Sequence, residues 1–562
     1  MDTFTPTTDP LAGSVALSAL VSLLPLVVFF VMLAVVKAKA YVSGLVSLVV
    51  AIIIAIAIFK MPVELGLMSG VMGAVFGAFP VVWIVIMAIW LYQVTVTSGR
   101  FEDLRRVFDA IGGGDVRIQS ILIAFCFGGL LEALAGFGAP VAITATMLLA
   151  LGMAPLRAAA AVLVANTAPV AFGAVAIPIT TAGGLTGLDP DHLGAIVGHQ
   201  APFLAVFVPT ILLFILDGRR GVKEAGPAAL VIGVSFAVAQ FLCATYFSYE
   251  LTDIVASLVG LGAAVLFLRV WTPKGRQEAR QRMLTGEAAN APIDEDRTLE
   301  PKATFLALFP YLLVIVVFGV AKLWTLGVNV PEALDSTTVK VKWPLLHDRL
   351  VDAGGAPISS TVYKFEWLAS PGTLLLLTGL VVALVYSLND GGGKYPLKVS
   401  EAIKDIGRTV LKMRGAAATI LSVLALAYVM NLSGQTITIG TWLAGTGPAF
   451  AFLSPILGWI GTAVTGSDTS ANALFAKLQQ TAGMNAGIDP NLLVAANTAG
   501  GVVGKLISPQ NLAIAATAVS MEGKESVILK KVAGWSIGML IVLCALVYLQ
   551  STPVLAWMLP TP

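Results

Sequence analysis

The chain has 562 residues, 57% of them hydrophobic and 12% charged, with a mean hydropathy of +0.90 and a formal net charge of +2. Soluble domains carry about a quarter charged residues, so this composition excludes an ordinary soluble fold and indicates an all-α polytopic membrane protein. Net charge near zero, spread along the loops, gives no footing for a nucleic-acid partner.

Met1, Asp2 and Asp9 precede the first apolar run without a basic region or a small-residue cleavage site, so the first helix is expected to be retained rather than removed as a signal peptide. About 20 apolar residues cross a bilayer. On that rule, spans are predicted near 14–36, 41–59, 66–98, 158–181, 193–216, 227–247, 251–268, 304–322, 369–388, 415–431, 490–518 and 532–552. The run 66–98 is too long for a straight crossing, which predicts a tilt or a break. Two further apolar stretches, 118–153 and 449–480, are interrupted by Gly136-Phe137-Gly138-Ala139-Pro140 and by Gly466-Ser467-Asp468-Thr469-Ser470.

Loop charge fixes the expected topology, because Lys and Arg collect on the cytoplasmic side. Lys37 and Lys39, Arg100 to Arg117, Arg219 to Lys223, Arg269 to Arg282, Lys394 to Arg414 and Lys524 to Lys531 are placed inside. Asp189, Asp191, Glu250, Asp253 and the polar segment 323–368 then lie outside, as do both termini. The alternation works only if both interrupted stretches return to the side they entered from, which makes them re-entrant hairpins. The resulting halves are residues 1–268, with hairpin 118–153 and broken helix 158–181, and residues 304–562, with periplasmic loop 323–368, hairpin 449–480 and broken helix 490–518. A cytoplasmic linker, 269–303, joins them.

One short pattern occurs twice. Asn166-Thr167-Ala168-Pro169 is followed by Gly173 and Pro178, and Asn497-Thr498-Ala499-Gly500 by Gly504 and Pro509, with identical spacing. Pro and Gly break a membrane helix, and the freed backbone groups must be satisfied by water, ion or substrate. Because the two copies run in opposite directions, the pattern predicts an inverted repeat whose helix breaks and hairpin tips meet near the midplane, as in secondary transporters. Half-helix N-termini there favour an anion, and Asn166, Thr167, Asn497 and Thr498 supply neutral donors and acceptors. Gly136, Gly138, Ser467, Thr469 and Gln510 complete the candidate substrate-binding set. The plainer reading is that Asn and Thr satisfy their own broken backbone.

Charges deep in apolar runs are few. Glu132, Asp468 and Lys505 each cost about 2.5–3.5 kcal/mol at a helix centre, which marks them as functional candidates. Asp468 and Lys505 are expected to pair, leaving Glu132 as an unpartnered acid and first choice for a coupling proton carrier. Lys505 is the candidate cation for a substrate carboxylate. His199, beside Gln200, is a weaker candidate for proton relay, since a lone His in an apolar run is more often packed. Lys477 is expected to snorkel and Arg157 to anchor the first hairpin. Cys126, Cys243 and Cys544 lie in apolar runs and have neither disulfide nor metal-ligand spacing. The runs Gly112-Gly113-Gly114 and Gly391-Gly392-Gly393 lack the strand and the Lys-Ser/Thr of a phosphate loop, which argues against ATP as the driving force. No cofactor, metal cluster or nucleophile triad is expected.

The run Glu132-Ala133-Leu134-Ala135-Gly136-Phe137-Gly138-Ala139-Pro140-Val141-Ala142-Ile143-Thr144, followed by Asn166 to Gly173, resembles the bacterial lactate permease family. So do Gly466-Ser467-Asp468-Thr469-Ser470-Ala471-Asn472-Ala473-Leu474-Phe475 and Lys505-Leu506-Ile507-Ser508-Pro509-Gln510, and the resemblance extends over nearly the whole chain. It implies a proton-coupled symporter for L-lactate, often also D-lactate and glycolate, in the bacterial cytoplasmic (inner) membrane. Its partners would be a small monocarboxylate, a proton and the lipid bilayer. The residues alone leave a sodium-coupled carboxylate carrier open, since Asp468, Ser467 and Thr469 can hold Na⁺, and, at greater remove, a carboxylate channel or a membrane-embedded enzyme.

Overall fold

A computed structural model describes residues 3–111, 114–135, 138–289, 300–321, 334, 336–351, 355–521 and 524–560. Among these residues ten helices are long and apolar enough to cross a membrane, or twelve if each of two bent pairs counts as one span. Outward faces carry exposed apolar side chains such as Leu17, Val49, Leu266 and Ile541. Small residues let the backbones approach elsewhere: a Cβ on Gly73 would stand 2.8 Å from Ala425 Cα in helix Val399–Ser433, and one on Gly504 would stand 3.0 Å from Trp459 Cα.

The long runs break where their residues dictate. Between Val63–Phe76 and Trp83–Thr97, Phe79 is extended (φ −141°, ψ 123°) just before Pro80. Proline lacks an N–H and drives its predecessor out of the helical region, which supplies the break expected for this run. Gly218, at φ +66°, turns the chain within Val208–Tyr246. The two interrupted stretches form helical pairs: Gly128–Ala135 packs against Ala139–Ala150, and Phe450–Thr465 against Asp468–Ala486. At the tip of the first pair Gly136 and Phe137 lie outside the described residues, as do Gly112 and Gly113.

Both broken helices are bent. Pro155–Ala165 and Val170–Thr186 meet at 58°, and Pro490–Ile507 and Pro509–Ala518 at 45°. They brace the hairpins crosswise. A Cβ on Gly138, at φ +85°, would overlap Ile514 of Pro509–Ala518, and one on Gly466 would reach within 3.0 Å of Gln510 Cβ. On the other side, helix Asp468–Ala486 packs against Gly173–Thr186, and Gln480 Nε2 donates to the Thr186 carbonyl at 3.1 Å.

The expectation of an all-α chain needs one correction. Val339–Lys342 and Val362–Phe365 form an antiparallel two-stranded ribbon, with Val339 opposite Phe365 and Lys342 opposite Val362. These short runs are rich in β-branched and aromatic residues, which favour strands. Tyr363 Oη donates to the Phe79 carbonyl at 2.8 Å, docking the ribbon on the break above. Burial pushes the Tyr363 phenol up to about 12, so it stays a donor near neutral pH. Of segment 323–368, residues 323–333, 335 and 352–354 lie outside the described set.

The described part of the linker clamps the base of the first hairpin. Arg117 is fully buried and meets Asp115 at 2.7 Å, Glu224 at 2.6 Å and the Lys274 carbonyl at 2.6 Å. Arg282 meets Asp217 at 2.7 Å and Glu224 at 3.1 Å; hydrogen bonding to Asp217 raises the pKa of its guanidinium. Arg157 donates to the Arg282 carbonyl at 2.8 Å, the anchoring role expected of it.

Candidate functional site

Glu132 projects from an almost wholly apolar helix, Gly128–Ala135, and Lys505 opens the short turn Lys505–Ile507 that follows Gly504. They are 3% and 6% exposed. Lys505 Nζ donates to Glu132 Oε1 at 2.7 Å, and Asn166 Nδ2 donates to Glu132 Oε2 at 2.8 Å. The expected pairing is therefore corrected: Lys505 neutralises Glu132, not Asp468, and Glu132 is not the unpartnered acid. A lone buried charge costs several kcal/mol unless its remaining hydrogen-bonding positions are filled. Asn166 fills one for Glu132. Asp468 instead accepts from Thr462 Oγ1 at 3.4 Å, and its Oδ2 has no partner among the described residues.

Gly173 closes over Glu132. Its backbone is ordinary for any residue (φ −64°, ψ 152°), but a Cβ there would stand 2.9 Å from Glu132 Oε1. The next three residues, Ala174, Val175 and Ala176, are left-handed, at φ 46°, 58° and 53°. This conformation costs roughly 1–2 kcal/mol per residue, and it turns the chain so that Ala174 and Pro178 face the same cavity as Glu132. From the second half the cavity is lined by Gly466, Ser467, Asp468, Thr469 and Lys505. Its volume is about 30 Å³, room for about two waters at roughly 10–15 Å³ apiece. A larger molecule would fit here only if the second hairpin tip and the first helix break parted.

Of the two expected dipole ends, the start of Gly173–Thr186 lines this cavity and that of Pro509–Ala518 does not. Each of the later helices is capped by its own serine: Ser508 accepts from Asn511 N at 3.2 Å, and Ser467 from Ser470 N at 3.3 Å. The N-terminus of Asp468–Ala486 lines the cavity as well, through Ser467, Asp468 and Thr469. Nineteen aligned peptides there present an anion-attracting end.

The other expected residues divide. Thr167 Oγ1 donates to Val164 O at 2.7 Å, satisfying its own break. Asn497 and Thr498, both buried, belong to a closed network: each donates to Asn472 Oδ1, at 3.1 and 3.0 Å, while Gln479 Nε2 donates to Asn497 Oδ1 at 3.3 Å and Ser454 Oγ to Gln479 Oε1 at 2.8 Å. Neither lines the cavity. Asn472 and Gln479 are the members that sequence reasoning passed over. Their signal is polar residues on the inward face of a hairpin arm, four and eleven positions after Asp468. His199 is bound to Ala195 O at 2.7 Å and packs edge-on to Phe241, away from the cavity-lining residues. Gln200 donates to Gln550 Oε1 at 3.1 Å. Gln510 is exposed and covers Gly466. Lys477 donates to Gln480 Oε1 at 2.7 Å, a fixed contact where snorkelling was expected. Gly136 lies outside the described residues.

A larger groove of about 580 Å³ runs between Val208–Tyr246 and Thr252–Val270, but Val234, Val238, Leu242, Phe247, Val255 and Val259 make it almost wholly apolar. It offers nothing to orient a carboxylate. Among the described residues no group of three or more His, Cys, Asp and Glu is placed to hold a metal ion.

Comparison with known proteins bears on this arrangement. A family profile described as L-lactate permease matches residues 18–554. The chain is 40% identical to the L-lactate permease of Bacillus subtilis (strain 168) over 504 residues, 86% of each chain. It is 41% identical to the glycolate permease GlcA of Escherichia coli (strain K12) over 461 residues, 80% of each, and 40% identical to the L-lactate permease of the same strain over 496 residues, 86% of each. The solved Alcanivorax borkumensis YdaH transporter aligns at a TM-score of 0.31 and 16% identity, covering 82% of this chain and 88% of its own, too loose a likeness to bear on the fold.

Proposed function

This chain belongs to the L-lactate permease family, and from that premise we propose that it is a secondary active transporter carrying L-lactate and related 2-hydroxymonocarboxylates, D-lactate and glycolate among them, into the cell with protons. It works as a multi-pass protein of the bacterial cytoplasmic membrane, with both termini outside and two inverted halves, each contributing a re-entrant hairpin and a broken helix.

The observation that carries this reading is the buried Glu132–Lys505 pair at the edge of the cavity. In the empty site the two charges cancel. A proton on Glu132 frees the Lys505 ammonium, and a substrate carboxylate takes the place of the Glu132 oxygen, so the loaded site is again neutral. Anion without proton, or proton without anion, leaves one uncompensated charge in a low-dielectric interior at a cost of several kcal/mol. Only the empty and the doubly loaded states therefore cross readily, which is the physical content of cotransport. The N-terminus at Ser467 and Thr469 adds donors for the carboxylate, while Asn166 holds Glu132 in place. Asp468 is the alternative proton carrier.

One other reading has an observation in its favour. The unpartnered Asp468 oxygen beside Ser467 and Thr469 suits a cation, which is sodium coupling. Labelled L-lactate uptake into proteoliposomes under an imposed pH gradient, with and without sodium at fixed pH, separates the two. Concentrative uptake driven by the pH gradient alone is expected. A strict need for sodium would replace the proton reading, and equilibration without accumulation would indicate a channel.

A further inference from the structure

Lys477 is a second cation in a helix that reaches the cavity, and the exchange at Glu132 and Lys505 makes no use of it. It lies in helix Asp468–Ala486, nine residues after Asp468, a rise of about 13 Å along the axis. That helix packs against Gly173–Thr186, and both begin at the cavity, one through Asp468 and Thr469 and the other through Gly173 and Ala174. Further along they are tied together by Gln480, whose Nε2 donates to the Thr186 carbonyl at 3.1 Å. Gln480 follows Lys477 by three residues, so the two side chains share one helix face. Lys477 therefore stands on the seam between two helices that frame the cavity, one turn nearer to it than the Gln480 link.

An ammonium carries three donors. Lys477 Nζ gives one to Gln480 Oε1 at 2.7 Å, a neutral acceptor, and among the described residues no carboxylate lies within ion-pair distance of it. Lys505, by contrast, has the Glu132 carboxylate at 2.7 Å. A charge inside a membrane-spanning region is costly and is normally paired or placed along a substrate path. Lys477 is partly buried and unpaired, with two donors open, which is what a carboxylate arriving from water requires.

We propose that Lys477 is a docking point for the substrate carboxylate on the approach to the cavity, where a small monocarboxylate pauses before it reaches Lys505. The carboxylate takes the two open donors and supplies the missing counter-ion, while the Gln480 oxygen keeps the third. Docking therefore leaves the Gln480–Thr186 link intact, and the anion waits on a closed seam until the two helices part. On the proposed topology this approach opens to the outside. The inference rests on the carboxylate-carrier reading above.

The test uses the full chain in proteoliposomes, unaltered and as Lys477→Cys and Lys477→Arg, with exchange of labelled L-lactate as the readout. Cys126, Cys243 and Cys544 are buried, so the new thiol is the one that reacts with two membrane-impermeant methanethiosulfonates, one adding an ammonium and the other a sulfonate. Lys477→Cys is expected to raise the KM about tenfold at a maximal rate within about twofold. The ammonium reagent should return the KM to within about threefold of the unaltered value and the sulfonate should not, L-lactate should slow either modification, and Lys477→Arg should keep the KM within about threefold. An unchanged KM in Lys477→Cys would overturn the proposal. So would equal effects of the two reagents, or a lowered maximal rate at unchanged KM in both variants, which is what a merely structural lysine gives. In the unaltered protein, added salt screens a partly exposed docking charge and raises the KM; a KM indifferent to salt would overturn the proposal even if Lys477→Cys did not fold. Failure of the carrier reading shows separately, as an unaltered protein that exchanges no lactate.

Discussion

Lys505 Nζ and Glu132 Oε1 are 2.7 Å apart in space and 373 residues apart in sequence. The pair joins the second broken helix to the first hairpin, and nothing local to either residue holds it. Its geometry ties the charge state of the site to the relation between the halves, and the first three predictions follow from the residues around it.

Removing the acid should separate coupling from binding. Glu132→Gln leaves Lys505 permanently available to a carboxylate and removes the proton-bearing group. Accumulation driven by a pH gradient should fall at least about tenfold, a change of roughly 1.4 kcal/mol, while exchange of labelled for unlabelled lactate remains measurable. Uphill uptake equal to that of the unaltered protein would remove Glu132 from the coupling step.

Removing the cation should be more severe. Truncating one partner of a buried, hydrogen-bonded charge pair costs about 2–5 kcal/mol, so Lys505→Met should lower exchange and uptake together by about a hundredfold or more. Binding of L-lactate measured by calorimetry on purified protein checks it. Affinity unchanged in Lys505→Met would place the carboxylate elsewhere.

Gly173→Ala changes one methyl at a backbone conformation open to every residue, so its effect isolates the contact with Glu132. The new Cβ would stand 2.9 Å from Oε1 and must displace that carboxylate from Lys505 or open the break. Uptake should drop by about tenfold, with thermal stability lowered by no more than about 1 kcal/mol. A neutral result would mean that the two segments part more easily than their packing suggests.

Asn472 accepts from both Asn497 and Thr498, and Asn472→Ala leaves two buried donors without a partner. Each such group costs about 1–3 kcal/mol. The melting temperature in detergent should fall clearly, while the KM for lactate exchange stays within about twofold. The opposite pattern, altered KM at unchanged stability, would return Asn497 and Thr498 to the substrate.

At the base of the first hairpin, Arg117→Met strips Asp115 and Glu224 of a fully buried partner. Losing one member of a buried pair costs about 3–5 kcal/mol, so poor thermal stability is expected, partly recovered in the double variant Asp115→Asn with Arg117→Met. No recovery would assign the loss to Glu224 and Asp217, the other acids that Arg117 meets.

The bends of the two broken helices and the turns that interrupt the two apolar stretches were legible in the sequence because their causes are local. Pro509 removes an N–H wherever the chain carries it, and Gly466 permits its left-handed turn whatever packs nearby. The partner of Lys505 was not legible. Asp468 is the nearer choice by position, and the contest between it and Glu132 is settled by Asn166 and by how the helix breaks stack, which no spacing encodes. The same limit hid the roles of Asn497 and Thr498: the repeated motif marks where the backbone breaks, while Asn472 and Gln479, on another helix, decide where those side chains turn. The two-stranded ribbon escaped because its strands are short and separated by 19 residues, so neither has a recognisable partner until the chain has folded.

The crosswise bracing of the hairpins has a consequence for how such a protein can be divided. Gly138 rests on Ile514, while Gln480 reaches back to Thr186, so the tip of the first half is seated on the second and an arm of the second hairpin is tied to the first half. A gene cut within 290–299 would encode two polypeptides, neither holding a complete pocket, and function would return only when both were made together and assembled. Lineages that separated the halves into independent subunits would have to preserve their mutual recognition as strictly as the recognition of cargo.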